Sequence, residues 1–150
     1  MKKNIIITLT MAISMLLFFG NTIAQNEELS DAILTNKIEV IDFHSTNRCM
    51  TCNAIEANTK YTLEKYFADE LKSGEITFQT INIDEKENYA MAEKFEAAGT
   101  SLFLNVIKSG KETQINLTNF AFMKGKDKLN FSKELKSKVN KQLKILNRTN

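Results

Sequence analysis

The stretch Lys37 to His44, KIEVIDFH, constrains the fold more than any other part of the chain. It is β-branched and apolar at its centre, the signature of a strand buried inside a sheet. A long helical pattern follows from Thr51 to about Lys72, with Ile55, Thr59, Leu63, Tyr66, Phe67 and Leu71 on one side. Ser73-Gly74 is expected to cap it. Glu75 to Asp84 then alternates apolar and polar residues as a second strand does. A buried strand, a long helix and another strand in that order predict a strand–helix–strand unit.

The rest of the chain extends this unit. Glu85 to Ala98 carries a helical pattern, stopped by Gly99. Ser101 to Ile107 is a strand, Ser109-Gly110 a tight hairpin turn, and Thr113 to Phe120 the returning strand. Leu129 to Leu146 closes the chain as an amphipathic helix on Leu135, Val139, Leu143 and Leu146. A short helix is expected over Glu27 to Thr35. Alternating strands and helices ending in a hairpin imply an α/β fold, a mixed sheet of about four strands flanked by helices. In such sheets the functional crevice lies at the C-terminal ends of the parallel strands.

The N-terminus reads as a separate segment. Lys2 and Lys3 precede an apolar run from Ile5 to Phe19, and Thr22-Ile23-Ala24 offers small residues for a cut. This is the plan of a secretory signal peptide over residues 1–24, cleaved near Ala24, followed by one domain over 25–150. The competing reading is an uncleaved anchor, but the run is shorter than the roughly 20 residues that span a bilayer. The expected location is therefore outside the cytosol, in a bacterial periplasm. Removing residues 1–24 leaves 18 bases against 18 acids, and so no charge excess for nucleic acid. The nine Lys/Arg between Lys124 and Arg148 read as a solvated helix face.

The only two cysteines, Cys49 and Cys52, fall between the first strand and the long helix. Three readings compete. A structural staple would close a very short loop, where cross-linking gains little entropy. A structural zinc site needs four ligands, and this chain offers Cys49, Cys52 and one histidine, His44. A redox pair needs a thiolate, which is favoured at a helix N-terminus and beside a cation such as Arg48. In an exported chain, where disulfides persist, the redox reading fits best. His44 could tune the pair or act as a third ligand to a soft metal. The plainer reading is a hydrogen-bonded scaffold residue.

Three stretches carry a family resemblance. VIDFHSTNRCMTC (Val40 to Cys52) resembles the strand and active-site segment of the thioredoxin superfamily, with one extra residue before the first cysteine. NIDEKENYAMAEKFEAAGTSLFL (Asn82 to Leu104) is similar to the family's next strand, helix and the start of its third strand. IKSGKE (Ile107 to Glu112) resembles its terminal hairpin. With the leader, the subtype it most resembles is a small exported family named as a nitrophenyl-compound nitroreductase subunit.

The resemblance implies a three-layer thioredoxin-like fold and a thiol–disulfide oxidoreductase. It implies Cys49 as the attacking cysteine, Cys52 as the resolving one and Asp42 as the buried acid that assists proton transfer. It also implies a substrate groove around Arg48, Met50, Thr51, Thr100 and Ser101. No cofactor beyond the redox-active disulfide is implied. The implied partner is a protein thiol or disulfide, such as a membrane redox protein or reductase complex. The alternatives are an electron-transfer subunit of a nitroaromatic reductase, and a soft-metal or metalloid module on Cys49, Cys52 and His44.

The chain departs from the family at three positions. Ser101 stands where the family has a cis-proline, and a trans bond is expected there because non-proline cis forms cost about 2.5–4 kcal/mol. Arg48 replaces the aromatic residue before the first cysteine. The lysine that often pairs with the buried acid falls near Thr80.

Overall fold

The structure is a computed structural model that describes residues 36–148. The leader and the helix expected over Glu27 to Thr35 lie outside these residues. Among the described residues no helix is long and apolar enough to cross a membrane.

KIEVIDFH forms strand β1 (Lys37–His44), and its apolar centre is buried because neighbours cover it on both edges and both faces. Strand β2 (Ile76–Asn82) lies parallel to it and β3 (Ser101–Lys108) antiparallel. β4 (Lys111–Asn116) pairs back on β3, so the sheet order is β2-β1-β3-β4. At the hairpin, Ser109 and Gly110 both take positive φ, 50° and 76°, as a two-residue turn with native twist requires.

Helices occupy both faces. On one side, α1 (Met50–Tyr66), α4 (Thr118–Lys124) and α5 (Lys128–Leu146) supply buried side chains. There Ile55, Leu63, Phe131, Leu135 and Val139 meet Ile38, Val40, Leu102 and Leu104 of the sheet. On the other side Phe95, which ends α3 (Tyr89–Lys94), packs with Ile41, Phe43 and Phe103. The rings of Phe43, Phe95 and Phe103 stand 5.3 to 5.8 Å apart, two of the three pairs edge to face. A mixed four-stranded sheet between two helical layers is the architecture the sequence predicts.

Three boundaries differ from the expectation. The long helix bends at Phe67, whose φ of −138° separates α1 from α2 (Ala68–Ser73) and whose side chain is buried. Phe67 N–H still donates to Leu63 O and Leu71 N–H to Phe67 O, both at 2.9 Å. The apolar period therefore runs through the bend unchanged. The pattern expected over Glu85 to Ala98 forms only a 3-10 turn (Lys86–Asn88) and the short α3, ended by Glu96 at φ 51° rather than by Gly99.

The third correction concerns the returning strand, expected to reach Phe120. It stops at Asn116, whose side-chain oxygen accepts from Thr118 N–H at 2.9 Å. Such a local bond competes with the ladder and turns the chain. Thr118 to Phe120 therefore begins α4, which buries Phe120 against Phe131, ring centroids 5.0 Å apart.

Candidate functional site

The C-terminal end of β1 runs through an irregular segment, Ser45 to Arg48, into α1. That segment is tied to the end of β2, where Thr46 N–H donates to Asp84 Oδ2 at 2.7 Å. Cys49 is the N-cap of α1, and its Sγ accepts from Cys52 N–H at 3.2 Å. Cys49 and Cys52 are joined in a disulfide with Cα atoms 5.1 Å apart. Cys49 is exposed, whereas Cys52 is only 8 % exposed. Cys49 can be reached from outside, and Cys52 is buried behind it in the chain's interior.

The helix terminus suits a developing thiolate. Its first-turn N–H groups point toward Cys49, and the first turn carries no acidic residue to oppose negative charge there. Met50, beside the reachable sulfur, is 83 % exposed. Thr51 turns toward the junction of α4 and α5, where Gly125 passes so close that a Cβ on it would lie 3.2 Å from the Thr51 methyl. Asn58, two turns further on, donates to Gly125 O at 2.9 Å and holds that junction to α1.

Seven residues before Cys49, Asp42 is wholly buried in β1. Its backbone neighbours in the sheet are Thr80 and Leu102, neither of them charged. Thr80 lies near the position where the resemblance places the family's lysine. The cation comes instead from Arg48, whose Nη2 donates to Asp42 Oδ2 at 3.1 Å while Nη1 bonds to Glu56 Oε2. The guanidinium fork spans two carboxylates, a geometry lysine cannot copy. Burial lifts the Asp42 carboxyl from its ordinary 3.8 to about 7, with Arg48 pulling it down and Glu56 pushing it up. Asp42 Oδ1 and Arg48 Nε are buried with no hydrogen-bond partner.

The sequence places Arg48 beside Cys49 as a neighbouring positive charge and the resemblance places it in the groove. Its side chain instead points inward, 17 % exposed, and its charge is shared by two carboxylates. Glu56 escaped the sequence reading. Its signal was present: it lies four residues after Cys52, hence one turn along the same helix face.

Ser101 opens β3 directly opposite Phe43 of β1, with partly buried Thr100 before it. Ser101 is 9 % exposed, and its Oγ donates to Gly99 O at 3.0 Å. Every described peptide bond is trans. His44 Nδ1 donates to Ser45 O at 3.0 Å. With both cysteines in a disulfide, Cys49, Cys52 and His44 are not assembled as ligands. Among the described residues no three Cys, His, Asp or Glu side chains converge on a metal position.

No protein-family model and no curated protein matches the chain. Among solved structures it is similar to mitochondrial thioredoxin 3 from Saccharomyces cerevisiae in its oxidised form. That likeness has 22 % identity over 62 % of this chain and 80 % of that one, with a TM-score of 0.40. It is similar to Fasciola hepatica thioredoxin at 22 % identity, over 55 % of this chain and 70 % of that one, with a TM-score of 0.38. A malarial protein matches at 17 % identity, over 59 % of this chain and 96 % of that one, also with a TM-score of 0.38. The α/β assignment rests on the strand order and register above. The site itself is a disulfide capping a helix, with Cys49 exposed and Cys52 buried, and a buried carboxyl in the strand that leads into it.

Proposed function

We propose that this chain carries out thiol–disulfide exchange through Cys49 and Cys52. The observation that carries the reading is the asymmetry of the disulfide: Cys49 is exposed at the N-cap of α1 and Cys52 is screened behind it. A partner can therefore reach Cys49 alone, and Cys52 is left to act within the chain.

In the reducing direction, the Cys49 thiolate attacks a partner disulfide. A Cys49–partner bond forms, and the partner's second sulfur leaves as a thiolate that solvent protonates. Cys52 then gives its proton to the Asp42 carboxylate and attacks Cys49 Sγ. The Cys49–Cys52 bond closes, and the first partner sulfur leaves. Two electrons pass from the dithiol to the partner. The same steps in reverse oxidise a partner dithiol. A carboxyl that binds and releases its proton near neutral pH suits the role given to Asp42.

The proposal includes export with cleavage near Ala24, supported by the basic start and apolar run of residues 1–24, and a protein partner outside the cytosol. Service to a nitroaromatic reductase is its narrower form. It requires that reduction of a nitrophenyl compound by a reconstituted complex depend on this chain.

The test is to incubate the oxidised chain with an excess of a peptide dithiol, quench with acid and weigh the products. Cys52→Ser, first carried to a mixed disulfide with an aromatic disulfide, should hold the partner on Cys49. Cys49→Ser should hold nothing. Exchange at the wild-type rate by Cys49→Ser, or a partner trapped on Cys52 in the native chain, sinks the proposal.

A further inference from the structure

Arg48 is the residue immediately before the exposed cysteine, yet its side chain is turned inward and is mostly buried. Its guanidinium crosses from the β1 carboxylate of Asp42 to the α1 carboxylate of Glu56. Those carboxylates come from separate elements, fourteen positions apart in sequence, and one cation serves both. Fixing a long, rotamer-rich side chain in this way has an entropic cost, and a buried ion pair earns stability only with good geometry. The fork supplies that geometry, and its chain connection supplies a further effect. Whatever holds the guanidinium also holds the backbone that delivers Cys49 to the helix terminus.

We propose that Arg48 is a positioning residue of the disulfide site, one guanidinium locking Asp42 of β1 to Glu56 of α1 and fixing the segment that presents Cys49. This rests on the exchange reading above and adds to it a residue that takes no part in the sulfur chemistry. The charged groups facing Asp42 are few. Arg48 comes from the loop and Glu56 from α1. The register neighbours from β2 and β3 are Thr80 and Leu102, and His44 follows two residues on in β1. A cation and an anion acting on one carboxyl through one bridge leave a signature with opposite signs. Removing Arg48 takes away attraction for the Asp42 carboxylate. Removing the Glu56 charge takes away repulsion and leaves Arg48 wholly to Asp42.

The experiment uses the full mature chain and three variants, Arg48→Met, Arg48→Lys and Glu56→Gln. The first readout is the pH dependence of mixed-disulfide resolution by Cys52. The second is the carbon-13 titration of the Asp42 carboxyl in the oxidised protein, which needs no exchange activity. Arg48→Met should move both midpoints up by about one pH unit or more, within the range known for a carboxylate losing an adjacent arginine. Glu56→Gln should move both down, and Arg48→Lys should fall between wild type and Arg48→Met because an ammonium cannot fork. Unmoved midpoints in Arg48→Met, or shifts of the same sign in Arg48→Met and Glu56→Gln, overturn the proposal. If Arg48→Met does not fold, the signs in Arg48→Lys and Glu56→Gln decide it. If the cysteine variants keep exchange activity, the exchange reading fails, while the Asp42 titration still reports on the Arg48 bridge.

Discussion

Replacing Asp42 with asparagine should make the protein more stable, and increasingly so as pH rises. Asparagine keeps the size of the side chain and one oxygen for Arg48 Nη2, but it carries no charge. In the folded chain burial holds the Asp42 carboxyl at about 7, against an ordinary 3.8. The folded state therefore keeps a proton that the unfolded chain releases at lower pH. Stability from that proton is fully present below the unfolded value and is lost as pH rises through the folded one. At about 1.36 kcal/mol per unit, the whole loss is about 4 kcal/mol, and more than half of it falls between pH 5 and pH 8.

The assay is guanidinium denaturation of oxidised wild type and Asp42→Asn at pH 5, 6, 7 and 8. Far-UV circular dichroism is the appropriate probe, since the chain has no tryptophan. Taking the difference between the two proteins cancels every titration they share. Asp42→Asn should gain on wild type by about 2–3 kcal/mol over this range and level off above pH 7 to 8. A difference constant to within about 0.5 kcal/mol, near the error of such extrapolations, would refute the reasoning. Such a flat difference would mean that Arg48 outweighs burial and holds Asp42 ionised throughout.

Two further outcomes are expected. At Gly125 a new Cβ would lie 2.8 Å from Ala121 O and 3.1 Å from Ile55 Cγ1, a backbone clash at a φ of −54° that any residue can adopt. Gly125→Ala should therefore cost about 1–3 kcal/mol as an overpacking effect, read from the urea midpoint at constant slope; an unchanged midpoint would mean that the α4–α5 junction yields freely. For export, N-terminal sequencing of the chain from a periplasmic extract should begin at Gln25, whereas recovery of the full chain from the membrane pellet would support the anchor.

The parts of the fold that could be read in advance are those set by near neighbours. β1 is legible because its apolar centre needs no partner to identify it, and the Ser109-Gly110 turn because two adjacent residues carry the required φ. α5 shows its buried face through Leu135, Val139, Leu143 and Leu146 at helical spacing. The bend at Phe67 was hidden because the helix bonds on either side of it survive. The end of β4 was hidden because Asn116 and Leu102 decide it from opposite ends of the pairing: Leu117 N–H still reaches Leu102 O at 2.7 Å, while Asn116 already turns Thr118.

The candidate site divides in the same way. Sequence alone determined that two cysteines stand one turn apart at the start of a helix that follows a buried strand, because strand and helix periods are local properties. Tertiary structure decided which sulfur is open, where the Arg48 side chain points and how tightly Asp42 holds its proton. Each depends on what packs around a group rather than on its neighbours in the chain. The exposure of Cys49 and the screening of Cys52 follow from the seating of α1 on the sheet. The Asp42 carboxyl is set by water excluded from β1 and by two charges, one from a loop and one from a helix, that only folding brings to it.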